Sequence, residues 1–201
     1  MSISQSKHLQ TIVDVAVQLF RKYGYENVSV NEICKKADIS RSSFYATFSS
    51  KKDIIEHVIT QARRDEPALL SRFVDAKNDF ERMWILCDRY LQVVLTLGPE
   101  LTGTLLRLEL MGEIDMIGMA REGNDMFIRL YRNAQQAGVI LSREPAERMA
   151  PIGPDAVYLI TYDWARQKGR FSLRAKARQT SEMIYNVAPE YRWTEEQLEQ
   201  A

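Results

Sequence analysis

The chain has 201 residues, 45% hydrophobic and 27% charged, enough to bury one good core or a small domain fused to a larger one. Its 27 Lys/Arg and 27 Asp/Glu cancel, which excludes a globally basic nucleic-acid binder, but residues 1–64 hold ten basic against six acidic side chains. Two cysteines and two histidines are too few for a structural zinc site, and no metal or other cofactor is expected. Cys34 and Cys87 read as small buried hydrophobes on apolar helical faces. The polar opening Ser2–Gln10 is followed by no apolar signal core, and charges interrupt every apolar run before the roughly 18 residues a membrane span needs. These features predict a reduced, cytoplasmic protein with no membrane partner.

Almost every segment repeats at helical spacing. Leu9, Ile12, Val13, Ala16, Leu19 and Phe20 form an apolar stripe, closed by Gly24. Ser29, three residues before Glu32, is a capping box for a short helix with Ile33, Cys34 and Ala37 on one face. Asp38-Ile39 is a turn. Ser40 then caps a second short helix, Arg41 to about Thr47, and the pair Ser50 and Asp53 starts a third, Asp53–Arg64. Three helix starts within a few turns, set at sharp angles, suit a helix-turn-helix that places one helix in the DNA major groove. Beyond Pro67, helices are predicted over Phe80–Leu97, Leu101–Gly112, Met126–Ala134, Asp155–Lys168 and Ser172–Ala188, with a Gly/Met-rich link from Gly112 to Met119 and a loop around Pro145, Pro151, Gly153 and Pro154. No run reads as a strand, so the class is all-α.

The run from Ile12 to Ile55, with its Ala16–Phe20 helix, Gly24-Tyr25 turn, Ile33, Ala37, Ser40, Phe44-Tyr45-x-x-Phe48 core and Ser50-Lys51, closely resembles the N-terminal module of TetR-family transcriptional regulators. Asp38 stands where that family usually has glycine, Cys34 replaces a customary alanine, and Ala46 replaces what is often a larger DNA-facing side chain. The resemblance implies a three-helix DNA-binding domain over 1–52 and a larger helical ligand-binding and dimerisation domain over 53–201.

It also implies that Ser40–Thr47 is the recognition helix. Arg41 suits bidentate pairing with guanine, while Ser42, Ser43 and Thr47 suit phosphates or base edges. Tyr45 matches the family tyrosine whose hydroxyl meets a phosphate, and Lys51 is placed for a phosphate clamp at a helix start. Ser29 and Ser40 are caps first and DNA donors second.

For the second domain, the resemblance implies an effector pocket, for which Phe80, Met83, Trp84, Cys87, Leu105 and Leu108 are candidate lining with Glu109, Met126 and Tyr131. Core packing is the competing reading for each. The helix from Asp155 is apolar around much of its circumference, so its second side is expected to meet another subunit. The expected interface draws on Tyr158, Tyr162, Leu173, Ala177, Thr180 and Ile184. The function expected is a non-enzymatic regulator, most simply a repressor. It would bind a near-palindromic double-stranded operator as a homodimer and be released by a small-molecule effector. The alternative is a helical ligand-binding or adaptor protein of the same fold that has lost specific DNA binding. No nucleophile–base pair, metal cluster or Gly-rich phosphate loop favours an enzyme.

Overall fold

The computed structural model describes residues 3–62, 66–114 and 124–201. It divides into two compact units, Met1–Asp65 and Glu66–Ala201. The first holds α1 (Ile3–Tyr23), α2 (Val30–Ala37), α3 (Arg41–Tyr45) and α4 (Lys51–Ala62). Its core is built from Ile12, Val13, Ala16 and Phe20 of α1, Ile33 and Cys34 of α2, Phe44 and Phe48 around α3, and Ile54, Ile55 and Ile59 of α4. Because α4 packs on α1 through these isoleucines, it belongs to the first unit, whereas the resemblance placed the boundary after residue 52. The expected end of that helix at Arg64 lies outside the described residues.

Local chemistry accounts for the sharp turns of this unit. Gly24 takes φ +83°, and its amide closes α1 on the Phe20 carbonyl at 2.9 Å. Ser29 Oγ accepts from the Glu32 amide at 3.2 Å while the Ser29 amide donates to Glu32 Oε2 at 2.7 Å, the reciprocal capping box. Asp38 ends α2 at φ 54° and ψ 49°, the left-handed conformation that glycine would supply and aspartate tolerates. Ser40 Oγ then accepts from the Ser43 amide at 3.0 Å to begin α3. That helix stops at Tyr45, short of the expected Thr47, because the Thr47 amide turns back to Phe44 O at 2.9 Å, a tighter i to i+3 bond.

The second unit contains α5 (Glu66–Val74), α6 (Asp79–Leu97), α7 (Pro99–Leu110), α8 (Asn124–Gln136), α9 (Ala146–Met149), α10 (Ile152–Arg166), α11 (Leu173–Ile184) and α12 (Glu195–Glu199), with a 3₁₀ turn at Pro189–Tyr191. Helix α6 is its centre and is apolar on two sides. One side joins Phe80 and Met83 to Phe127, Leu130 and Tyr131 of α8 and to Tyr185; the other joins Trp84, Leu91 and Val94 to Val157, Ile160 and Trp164 of α10 and Leu173 and Ala177 of α11. Each such large side chain removed from water contributes about 1.5–3 kcal/mol. The only pairing of strand type among the described residues is a single antiparallel bridge, Ile140 with Val187. It ends α11 earlier than the expected Ala188. In place of the expected proline loop stand α9 and the start of α10, with Gly153 and Pro154 in its first turn.

Helix α10 is buried on one broad side and leaves Leu159 and Tyr162 in solvent, so its second apolar side is a real feature. Two of the expected interface residues are not on it. Leu173 and Ala177 are fully buried in this chain's own core, because α11 turns that stripe onto α6 and α10. Thr180 and Ile184 are half-buried, Ile184 against the other cluster, and Tyr158 is half-buried on Glu109. Of the six, Tyr162 alone is exposed.

Candidate nucleic-acid interface

Phe44 and Phe48 are buried and in ring contact, and they turn the opposite edge of α3 to solvent. That edge carries Arg41, Ser42 and Tyr45. The tyrosine is 48% exposed, packs edge-on against Phe44 with centroids 5.4 Å apart, and has the Arg41 guanidinium over its ring at 5.9 Å. The arrangement gives a cation and a phenol side by side on a backed ledge, a pairing suited to phosphate oxygens and base edges. Ala46 is exposed beside them and adds nothing but a methyl group.

The other expected contact residues are engaged internally. Ser40 Oγ lies 2.8 Å from Ser42 Oγ and 2.9 Å from Ser43 Oγ, a three-hydroxyl cluster at the helix start. Ser43 and Thr47 are half-buried, and Thr47 Oγ1 donates to Ser43 O at 3.2 Å. The Ser29 hydroxyl faces Glu32 Oε2 at 2.7 Å; the Ser29 amide first, and then this hydroxyl, lower the pKa of that carboxyl from its ordinary value. Lys51 is half-buried, and its Nζ donates to the carbonyls of Tyr25 at 2.7 Å and Val28 at 2.6 Å. Asp53 secures the start of α4, accepting from the Ser50 hydroxyl and the Ser49 amide, each at 2.7 Å.

In the second unit the expected pocket lining is largely packed core: Phe80, Met83 and Tyr131 with half-buried Met126 and Cys87 in one cluster, Trp84 in the other, and Leu105 and Leu108 buried on α7. The apolar spacing that suggested a pocket is the spacing of a helix seam. Met116 and Met119 of the Gly/Met-rich link lie outside the described residues. Glu109 does find a polar partner, since Tyr158 Oη donates to Glu109 Oε2 at 3.1 Å. Burial, then the charge and hydrogen bond of Glu109, push that phenol up to about 12. Among the described residues, the buried hydroxyls of Tyr90 and Tyr131 have no partner at hydrogen-bond distance and geometry. Open space of about 650 Å³ lies elsewhere, between α5, the start of α6 and the segment 190–197, and of the expected lining Trp84 alone borders it.

Two charge clusters that sequence reasoning missed lie behind this groove. Asp88 is buried and accepts from Arg72 Nη2 of α5 at 2.8 Å and Arg174 Nε of α11 at 2.7 Å. Arg178 is fully buried, paired through its guanidinium with Glu81 and Glu182, and faces the rings of Phe80, Trp84 and Trp193 at 4.6, 5.4 and 4.9 Å. Its only sequence signal is a cation within an otherwise small-residue helix stripe. No group of three or more metal-ligating side chains is found among the described residues, and no helix among them is long and apolar enough to cross a membrane.

Comparison with known proteins follows the same division. Residues 12–58 match the family described as bacterial regulatory proteins, tetR family. An HTH-type transcriptional regulator of Staphylococcus aureus (strain USA300) is 33% identical over 87 residues, which is 41% of this chain and 45% of that protein. The chain therefore matches a little under half the length of that relative. Among solved structures, the fatty acid degradation regulator FadR from Bacillus halodurans superposes with a TM-score of 0.61 at 17% identity, covering 89% of this chain and 94% of that one. MbdR from Azoarcus sp. CIB gives 0.63 at 17% identity, with 90% and 98% covered. AibR in complex with isovaleryl coenzyme A and operator DNA gives 0.61 at 19% identity, with 90% and 100% covered. These similarities establish a shared fold over most of the chain, and within it residues 12–58 carry the match to the tetR family of bacterial regulatory proteins.

Proposed function

We propose that this chain is a DNA-binding transcriptional regulator, acting as a homodimer on a near-palindromic operator and released from it by a small molecule. The observation that carries the reading is the exposed ledge of Arg41, Ser42 and Tyr45 on α3, backed by buried Phe44 and Phe48 and held by two capped turns. A five-residue helix with Ala46 at its end offers few base contacts, so one copy supplies little specificity. Two copies related by a two-fold axis would read half-sites about 34–36 Å apart. The exposed Leu159 and Tyr162 of α10 are the apolar surface we assign to the partner copy. The operator complex and the ligand named for AibR are consistent with this mode of action. Release by a ligand makes repression the simplest sign of regulation.

The test is selection of duplexes from a random library by the purified chain, followed by titration across salt. A near-palindromic motif with a steep salt dependence is expected. Recovery of no motif above background refutes the reading. Sedimentation of the chain and of Leu159→Glu tests the partner surface: a dimer converting to a monomer is expected, and an unchanged assembly removes α10 from the interface.

A further inference from the structure

Lys51 is the first residue of α4, where the helix dipole opposes a cation. Something must offset that placement, and the structure shows what does. The ammonium donates to Tyr25 O at 2.7 Å and Val28 O at 2.6 Å and lies 4.4 Å from the centroid of the Tyr25 ring. Tyr25 is itself buried and packed edge-on to Phe20 of α1, with centroids 5.0 Å apart. The two carbonyls belong to the loop joining α1 to α2, and Val28 immediately precedes Ser29, the cap that starts α2. Burial, partly opposed by Glu26 and Glu32, lowers the Lys51 pKa from its ordinary value, as expected of an ammonium drawn into the fold.

The topology gives this contact its meaning. The segment from Ser29 to Lys51 contains α2, the left-handed turn at Asp38 and all of α3. Tying Lys51 to Val28 joins the two ends of that segment, so the short α3 sits within a closed ring of structure. A five-residue helix cannot hold its own direction through internal hydrogen bonds, and its angle is set by whatever fixes its flanks. The buried pair Phe44 and Phe48 fixes one side; the ammonium fixes the two ends.

We propose that Lys51 is a positioning residue, a staple that sets the angle of α3 by closing the 29–51 segment, rather than a phosphate clamp. This rests on the DNA-binding reading above. A staple changes how well α3 fits its target sequence and leaves the number of phosphate contacts unaltered. A clamp does the reverse.

The experiment uses the full chain, a duplex selected by the wild type and a scrambled duplex of equal length, titrated by anisotropy across salt. Lys51→Met is expected to weaken the selected duplex about tenfold while leaving the scrambled duplex and the salt slope unchanged. Lys51→Gln, which keeps two N–H donors and no charge, is expected to recover part of that loss. Equal loss on both duplexes with a slope lower by about 1, unrelieved in Lys51→Gln, is the signature of a clamp and overturns the proposal. Unchanged affinity for both duplexes also overturns it. A second measurement is independent of DNA: amide exchange in α2 and α3 should quicken in Lys51→Met well below its melting temperature. Unchanged exchange there refutes the staple even if the protein selects no duplex, whereas quickened exchange in a chain that selects none leaves the staple standing and removes the regulator reading.

Discussion

The Tyr185 hydroxyl accepts from the Gly153 amide at 3.1 Å, across 32 residues, and donates its own proton to Ala150 O at 2.6 Å. One buried phenol thereby satisfies the backbone where α9 passes into α10, a junction crowded with prolines. The ring has no room to move, being edge-on to Tyr131 at 5.1 Å and Phe80 at 6.3 Å.

Gly153→Ala should therefore destabilise the chain although alanine is the better helix former. A Cβ at position 153 would stand 2.1 Å from Tyr185 Oη and 2.6 Å from its Cζ. Overpacking of this kind costs about 1–3 kcal/mol, more than the roughly 1 kcal/mol that alanine gains over glycine in a helix. Urea denaturation gives the net value, and Gly153→Ala combined with Tyr185→Phe should recover part of the loss. A stabilised Gly153→Ala would mean the ring yields.

Arg178 presents the opposite problem, a charge where none is exposed. Its guanidinium satisfies Glu81 and Glu182 and donates to Tyr191 O at 3.3 Å, while Trp193 covers it and donates its amide to Glu182 Oε1 at 2.9 Å. Arg178→Met keeps the bulk but strands a buried carboxylate, so a loss of about 3–5 kcal/mol is expected. Arg178→Met with Glu182→Gln should be milder than Arg178→Met alone. A cost below 1 kcal/mol for the single variant would show that water replaces the guanidinium.

How far such features could be read from sequence depends on whether their cause is local. The caps at Ser29 and Ser40 and the turn at Asp38 are legible because each involves atoms within a few residues, and the structure has all three. Thr194 and Gln197 form an equally local capping box that begins α12, in a terminal segment without an apolar stripe to announce a helix. Lys51, Asp88 and Arg178 were not legible in this way. Lys51 reaches carbonyls 23 and 26 residues away, Asp88 arginines 16 and 86 away and Arg178 a glutamate 97 away, and a cation at helical spacing looks alike whether it faces water, a phosphate or a buried carboxylate. Leu173 and Ala177 were misassigned for a related reason: periodicity reveals an apolar face but not which neighbour covers it.

Asp163 provides a pH-dependent tie between α10 and α11. Its carboxylate accepts from Arg166 at 2.7 Å, Gln167 at 2.8 Å and Lys176 at 3.3 Å. These partners, the Arg166 hydrogen bond foremost, lower its pKa from 3.8 to about 2. Because the folded value is depressed, the contribution is complete above the unfolded pKa and disappears as pH falls through about 2. Wild type should thus melt higher than Asp163→Asn at pH 7, with the gap narrowing below pH 4 and closing near pH 2. A gap that persists at pH 2 would assign the effect to packing.

On the exposed edge of α3, the proposed DNA contacts of two neighbouring side chains separate by the kind of loss they cause. Arg41 is the one exposed cation on α3, and at the start of that helix its forked donors suit guanine O6 and N7. Arg41→Ala should cost about 1–3 kcal/mol on the selected duplex and relax preference at one position of each half-site. The Tyr45 hydroxyl is suited to a phosphate, which carries no base identity, so Tyr45→Phe should weaken every duplex in similar proportion and keep the selected motif. The Tyr45 ring also supports the Arg41 guanidinium at 5.9 Å, so Tyr45→Ala should show both effects, a general loss plus relaxation at the Arg41 position. Repeating the selection with each variant measures the motif, and anisotropy measures the affinity. If Arg41→Ala returns the wild-type motif at lower affinity, Arg41 is a phosphate contact and the bases are read from elsewhere on α3.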